Sequence, residues 1–436
     1  VRRLTALTIV VLLVLGAVVS CTPKSREEAW EEDIDYLVRT LERRHPNMYW
    51  KTDREVFSEA VMELKEDISE LTDTEMYFRT RQLVALVRDS HTKVVANESL
   101  ENPDAVLSIR MAWLEGGLYV VAAEGSASRA VGKRVLALGD TPVDTAVELA
   151  NTLVSAENQY WPKRYSADLL INPHVLRFLK IMEGDDLTIT VQDGQETVES
   201  FRLEIKPPWE VDDWVRLDQE AKTPLYIKYG YIYWYEYLPD EKVLYFQYNE
   251  CSQRDRRRAT GFASLSFTRV SREVLRILRE RDVEKFIFDL RKNEGGNSSV
   301  AEDFIRHIIH MEHINQEGKL FVIIGNRTFS SAVWNAMHLK GTTHALFFGE
   351  PTGGRPDGYG LSPRLRLPNS GLSFTCSTTL FRLTKRYDVE ELVGSDTMPP
   401  DFLIVPTVED YAAGRDPVLE AIIDYPDLSG FISQGQ

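Results

Sequence analysis

At 436 residues the chain is too long for one ordinary domain and suits two or three, and its 43% hydrophobic and 27% charged residues exclude a low-complexity or extended chain. The formal charge is −16, or −18 without the first 20 residues, which carry Arg2 and Arg3 and no acid. That balance argues against nucleic acid as a partner, because a phosphate binder needs a basic face, and against loose adsorption to an anionic bilayer.

The N-terminus reads as a targeting segment. Arg2-Arg3 precede an apolar run, Leu4 to Ala17, that is short for a membrane span. Val18-Val19-Ser20-Cys21 follows, and a small residue directly before a cysteine at this place resembles the lipobox of bacterial lipoproteins. The resemblance implies cleavage after residue 20, lipid attachment at Cys21, a polar tether over residues 21–28 and a chain anchored outside the cytoplasm in a bacterial cell envelope. A plain signal peptide or anchoring helix with an incidental cysteine is the alternative. The other two cysteines, Cys251 and Cys376, sit in apolar, strand-like runs and read as buried thiols; no cysteine spacing suits a metal.

Residues 29–95 read as a three-helix cap. Trp30, Ile34, Leu37 and Leu41 step by four, three and four, and His45-Pro46 stops that helix. Val56, Phe57, Ala60, Val61, Leu64 and Ile68 form a second stripe, and Thr72-Asp73-Thr74-Glu75 opens a third helix that ends at Arg88-Asp89-Ser90-His91-Thr92. His91 has the side chain best suited to take a proton from a hydroxyl near neutral pH, though a lone histidine at a helix end more often caps or packs. Residues 105–206 read as a β-rich module. Val106–Met111 and Leu118–Ala122 are strands, Val131–Val143 is a strand and turn, Thr145–Leu153 a helix, and Leu187–Val191 and Ser200–Ile205 two more strands closed by Pro207-Pro208.

An α/β pattern fills residues 209–436. Ile227, Tyr229, Tyr231, Tyr233 and Tyr235 alternate, Val243–Tyr248 is a strand and Val270–Arg281 a helix. Glu284–Asp289 is a buried strand that runs through Leu290-Arg-Lys-Asn293 into a Gly295-Gly296 turn, and Ser298–Met311 is a helix. His307, His310 and His313 invite a metal reading, since steps of three can share a helix face, but no acid stands as an obvious further ligand and no metal is expected. Leu320–Ile324 is a continuous apolar run, the pattern of a strand buried on both faces. It breaks at Gly325-Asn326 and leads through Thr328-Phe329-Ser330-Ser331 into the helical pattern Ala332–Leu339. A hydroxyl between a strand end and a helix start is well placed to attack, because the unpaired N–H groups of the helix terminus can hold a developing oxyanion. Serine there also caps helices routinely. A further strand, Ala345–Phe348, ends in Gly349-Glu-Pro-Thr-Gly353-Gly354-Arg355.

These segments together resemble the C-terminal processing (tail-specific) and tricorn family of serine peptidases. Asp289-Leu-Arg-Lys-Asn293-Glu-Gly295-Gly296, then Thr328-Phe-Ser330-Ser-Ala332, then Gly349-Glu-Pro-Thr352 carry the resemblance, and Pro400-Asp401 and Gly414–Glu420 look like its closing strand and helix. It covers roughly residues 30–425. It implies a ClpP/crotonase-like α/β core behind the helical cap and an inserted PDZ-like module. The implied activity is cleavage of a peptide or protein substrate through an acyl-enzyme, with no cofactor. Ser330 is the implied nucleophile, chosen over Ser331 by the motif's order; Ser331 and either Gly295 or Gly296 supply the oxyanion N–H groups. Arg355 stands where the tail-specific branch has its base lysine, and arginine stays protonated, so the base falls to His91 with Ser90 as its helper, as in the tricorn branch. Asp396 is the first choice for a supporting acid, with Asp388 and Glu391 as rivals. Arg355, Gly353 and Gly354 would line the substrate, Arg355 facing a carboxylate. The same fold is reused in the interphotoreceptor retinoid-binding protein, so the alternative is a catalytically silent protein holding an apolar ligand or a peptide.

Overall fold

The computed structural model describes residues 24–97, 106–207, 214–255 and 266–426. The expected signal segment and Cys21 lie outside the described residues. Among those described, no helix is long and apolar enough to cross a membrane.

Three helices open the described chain: Arg26–Arg44, Arg54–Glu66 and Asp73–Ala85. The first begins inside the stretch expected as a tether. Ser25 caps it, its hydroxyl accepting from the Glu28 N–H while Glu28 returns the bond to the Ser25 N–H. Thr72 and Glu75 form the same reciprocal pair at the third helix. The apolar stripes point inward, with Trp30, Ile34, Leu37, Leu41, Met76 and Phe78 all buried.

These helices do not make a core of their own. Their buried side chains are continuous with those of the following sheet, including Ile109, Val120, Leu138 and Ile189. That sheet is antiparallel, in the order Val215–Arg216, Gly117–Ala123, Arg134–Leu138, Leu187–Gln192 and Val198–Leu203, with Ile109–Leu114 paired to Gly117–Ala123 as a hairpin. The hairpin turns at Gly116-Gly117, where both residues take positive φ. Val215–Arg216 lies beyond the expected module boundary at residue 206, yet it adds to this sheet rather than to the next one. Beside the predicted helix, here Val143–Asn151, stand two that the pattern did not suggest, Tyr160–Leu169 and Pro173–Phe178.

The second layer system is a six-stranded sheet in the order Tyr233–Leu238, Val243–Tyr248, Lys285–Asp289, Leu320–Ile324, Leu346–Gly349 and Phe402–Leu403. Only the first pair is antiparallel. The three strands from Val243 to Ile324 are buried at every position, as a parallel sheet covered on both faces requires. Alternate residues serve opposite faces. Leu244, Phe246, Phe286, Phe288 and Val322 pack under the helices Phe267–Glu280, Glu302–Ile309 and Ser331–Thr342. Tyr245, Ile287, Phe321, Ile323 and Phe348 pack against Pro417–Ile423.

Two predicted elements are shorter than their patterns. The alternation that begins at Ile227 becomes a strand only from Tyr233; Leu225–Ile227 is a 3-10 turn and Tyr229 is exposed. Its partner strand supplies six residues, all of which pair with Tyr233–Leu238. The helix expected from Ser298 starts at Glu302, because the Asn297 side chain draws Ser298–Val300 into a 3-10 turn first. The architecture is a mixed α/β fold with several sheets. In it, three successive parallel strands deliver their carboxyl ends, Asp289, Ile324 and Gly349, to one edge in matched register. Crevices at the carboxyl ends of such strands are where ligands bind.

Candidate active site

Ser330 sits where the strand Leu320–Ile324 turns into the helix Ser331–Thr342, with φ 53° and ψ −122°. A non-glycine residue there is strained by roughly 1–3 kcal/mol and needs surrounding bonds to hold it. Thr328 supplies them: its hydroxyl donates to the Leu290 carbonyl at 2.9 Å and accepts from the Gly325 N–H at 3.0 Å. The Phe329 N–H donates to the Asn293 carbonyl at 3.0 Å and the Gly354 N–H to the Thr328 carbonyl at 3.1 Å. The serine is therefore pinned by the loops that follow both neighbouring strands. The two glycine motifs sit there for a steric reason. A Cβ on Gly295 would lie 2.7 Å from Ser330 Cβ, and one on Gly354 would lie 3.2 Å from the Ser330 nitrogen.

His91 arrives from the other half of the chain. It follows the helix Asp73–Ala85 through a turn at Arg88, φ 58°, and its strand continuation Lys93–Val94 pairs with Ser373–Thr375 of the second half. Thr375 Oγ1 donates to the His91 carbonyl at 2.7 Å and the Ser377 N–H donates to Thr92 Oγ1 at 3.0 Å. The imidazole stacks on Phe329 at 4.5 Å between centroids, and Phe329 stacks on Trp161 at 4.0 Å. This places His91 Nε2 2.9 Å from Ser330 Oγ. The two side chains are 239 positions apart in sequence.

Behind the histidine lies a buried acid cluster. Asp89 Oδ1 accepts the His91 backbone N–H at 3.0 Å and lies 4.0 Å from His91 Nδ1, which has no hydrogen-bond partner among the described residues. Burial alone would raise the Asp89 carboxyl; the bonds from His45, Thr92 and Ser377 and the charge of His91 outweigh it and hold it down to about 2. The Ser90 hydroxyl donates to Glu157, which is 2% exposed. Burial, and then the Asp89 charge, push Glu157 up to about 8, so Asp89 is ionised and Glu157 protonated near neutral pH. Burial lowers His91 below the usual imidazole value, with Asp89 opposing that and Lys93 adding to it. Ligand-type atoms of Asp89, His91 and Glu157 all lie within 4.8 Å of one another. The histidines of the helix Glu302–Ile309 and its end are engaged elsewhere: His307 Nδ1 is bonded to the Asp303 carbonyl and His313 Nε2 to the Leu278 carbonyl.

Asp396, the expected supporting acid, does not occupy this cluster. Its carboxylate is held by Lys51 at 2.6 Å and stands 3.8 Å from Arg355, on a loop tied to Asn158 by its backbone carbonyl. The rivals Asp388 and Glu391 are not there either. Asp388 caps the helix Leu383–Tyr387 and Glu391 lies in the 3-10 turn after it. The acids beside the histidine come instead from its own turn, Asp89, and from the loop before Tyr160–Leu169, Glu157. Asp89 was legible from its place next to Ser90-His91. Glu157, in Ala156-Glu157-Asn158, carries no motif that would single it out.

The expected oxyanion groups differ in availability. Gly295 N–H donates to Asn293 Oδ1 at 2.9 Å and is committed. Gly296 N–H and Ser331 N–H have no acceptor among the described residues. Ser331 Oγ donates to the Gly296 carbonyl at 2.8 Å, which ties the glycine to the head of the helix. The helix terminus leaves the Ser331 N–H unpaired by position. A cavity of about 530 Å³ opens over this spot, lined by His91, Ser330, Ser331, Gly296, Gly354 and Arg355 with aromatic and aliphatic walls beyond. Gly353, expected to line the substrate, instead packs on the Asn326 carbonyl and Trp161, where a Cβ would come within 2.2 and 2.7 Å.

By sequence the chain matches no protein-family model and no curated relative. By structure it is similar to mature CPAF, with a TM-score of 0.61 at 12% identity over 91% of this chain and 96% of that one. Mature CPAF complexed with lactacystin matches at a TM-score of 0.59 and 12% identity, over 92% of this chain and 99% of that one. The tricorn protease is also among the neighbours, at 15% identity, a TM-score of 0.39 and coverage of 94% of this chain and 37% of that one. What this chain shares with mature CPAF is the fold.

Proposed function

We propose that this protein is a serine peptidase of the C-terminal processing and tricorn type, in which Ser330 is the nucleophile and His91 the general base. The observation that carries this reading is the 2.9 Å contact between Ser330 Oγ and His91 Nε2, made by a serine held at positive φ at the head of a helix. Ser330 Oγ–H donates to Nε2, which requires the proton of neutral His91 to sit on Nδ1, facing Asp89. As Oγ attacks the peptide carbonyl, the proton passes to Nε2 and the Asp89 carboxylate stabilises the imidazolium. The carbonyl oxygen takes the electron pair and is met by the N–H groups of Ser331 and Gly296. Collapse breaks the C–N bond, His91 gives its proton to the leaving amine, and an acyl-Ser330 remains. Water then attacks that ester with His91 again taking the proton, which frees the acid product and regenerates the serine. Ser90 acts through Glu157, their bond fixing the turn that aims His91. Asp89 takes the supporting role expected of Asp396.

The wider reading has the lipid anchor at Cys21, outside the cytoplasm, and a ClpP/crotonase-like core over residues 209–436. It has a PDZ-like module in residues 105–206 that presents extended peptide by strand addition. The strand order and the helix Val143–Asn151 support the module, and the parallel strands feeding one edge support the core. A quenched-peptide library is the test of function: the full chain cleaves peptides, and Ser330→Ala abolishes cleavage. Cleavage that survives Ser330→Ala overturns the assignment.

A pH profile follows from the buried acids. His91 must be neutral to act, and burial lowers its pKa, so activity is lost on acidification only below the usual imidazole range. Glu157 ionises as pH rises through about 8, which adds a second negative charge beside Asp89 and draws His91 toward its protonated form. The rate is therefore expected to change on an alkaline limb near that value. Glu157→Gln, a permanent mimic of the protonated acid, is expected to lose the limb in kcat/KM measured against pH, whereas Glu157→Ala lowers the rate at every pH.

A further inference from the structure

Around Arg355, which lines the cavity, two cations share one acid. Arg355 follows Gly354, the residue packed against the nucleophile's backbone, and its side chain is only 12% exposed. Its guanidinium lies 4.7 Å over the Trp50 ring, and Lys51 Nζ lies 4.8 Å from the same ring. One acid serves both cations. Asp396 binds Lys51 at 2.6 Å, while its other oxygen stands 3.8 Å from Arg355, beyond hydrogen-bond length. Lys51 is further satisfied by the Glu157 carbonyl at 2.6 Å. Arg355 Nε is buried and has no partner among the described residues. The acid that lines this cavity itself is Glu157, whose carboxyl burial pushes up to about 8. A planar donor fork, desolvated, stacked and unfilled, is a carboxylate receptor.

We propose that Arg355 is a specificity subsite for a substrate carboxylate, with Asp396 as the weak resident competitor that the substrate displaces. The subsite rests on the peptidase reading above and adds to it the substrate class: peptides that bring an anionic group to within one or two residues of the cleaved bond. The carboxylate comes from a Glu or Asp side chain or from the chain's own C-terminus. Trp334, Phe381, Leu383 and Leu361 on the same cavity form the apolar wall for a neighbouring side chain.

The test uses the full chain and matched quenched peptides in three arms: Glu against Gln scanned across the cleaved bond, Asp against Asn, and a free C-terminus against its amide. At one position a carboxylate is expected to raise kcat/KM by about tenfold or more over its neutral isostere, the scale of a site whose buried donors are left unpaired by the wrong partner. The arm that shows it identifies the source. Arg355→Gln is expected to bring the ratio to about one. Asp396→Asn is expected to enlarge it through KM with kcat little moved, a split that loss of a structural contact does not produce. If Arg355→Gln does not fold, the wild-type ratio and the Asp396→Asn shift decide alone. Equal cleavage of acidic and neutral peptides overturns the subsite and leaves the peptidase standing. Absence of cleavage of every peptide overturns both.

Discussion

His91→Ala lowers the rate of Ser330 acylation by about 10³-fold or more, measured as kcat/KM on a cleaved peptide, while circular dichroism and thermal midpoint change little. The size follows from what the imidazole does. A serine hydroxyl is a poor nucleophile until a base takes its proton, and within the described residues the group 2.9 Å from Ser330 Oγ that can do so is His91 Nε2. Arg355 cannot substitute, since guanidinium does not release a proton at any working pH. The small structural effect follows from where the ring lies. It is 20% exposed and contributes one stacked face to Phe329, whose other face stays on Trp161. His91→Gln, which keeps much of the volume, is expected to be equally inactive. A variant that loses activity only in proportion to its folded fraction would remove the base assignment.

Gly296→Ala is the second large effect, and it strikes chemistry and fold together. Gly296 takes φ 132°, and a Cβ there would lie 2.4 Å from the Cys251 carbonyl oxygen, a backbone atom that cannot rotate away. The Cys251 stretch holds the loop by two bonds, its N–H to the Gly295 carbonyl at 2.8 Å and its carbonyl from the Asn297 N–H at 2.8 Å. Relief of the clash therefore shifts the oxyanion N–H. Loss of one such donor costs about 10²–10³-fold in kcat, and the strained backbone costs about 1–3 kcal/mol in a denaturant melt. The effect is expected in kcat more than in KM, because the donor meets an oxygen that is charged only in the transition state.

The parts of this account that were legible in the sequence are those with local causes. Leu320–Ile324 and Lys285–Asp289 are runs of apolar residues with no alternation, and a strand covered on both faces is what such a run can form. The turn at Ser330 was legible because small residues and a helix start follow the first of them. Of the two acid partners only Asp89 had a local signal, its place beside Ser90-His91; Glu157 had none, since the aim of a loop depends on contacts that no spacing encodes. Asp396 was favoured by its position late in the chain; in the fold its loop is claimed by Lys51 and Asn158, both from the first half. Glu157 reaches Ser90 because that same loop–loop contact brings residues 157–158 over the site, a coincidence of tertiary packing. The tyrosine alternation was a true pattern, of which the part from Tyr233 registers with Val243–Tyr248.

Labelling with a fluorophosphonate probe reads whether Ser330 is an activated nucleophile. A single adduct is expected on Ser330, located by mass spectrometry of the digested protein, absent in Ser330→Ala and formed far more slowly in His91→Ala. Folded protein that takes no label, or that takes it on another residue at the same rate in all three chains, would remove Ser330 as nucleophile and favour a binding protein built on this fold.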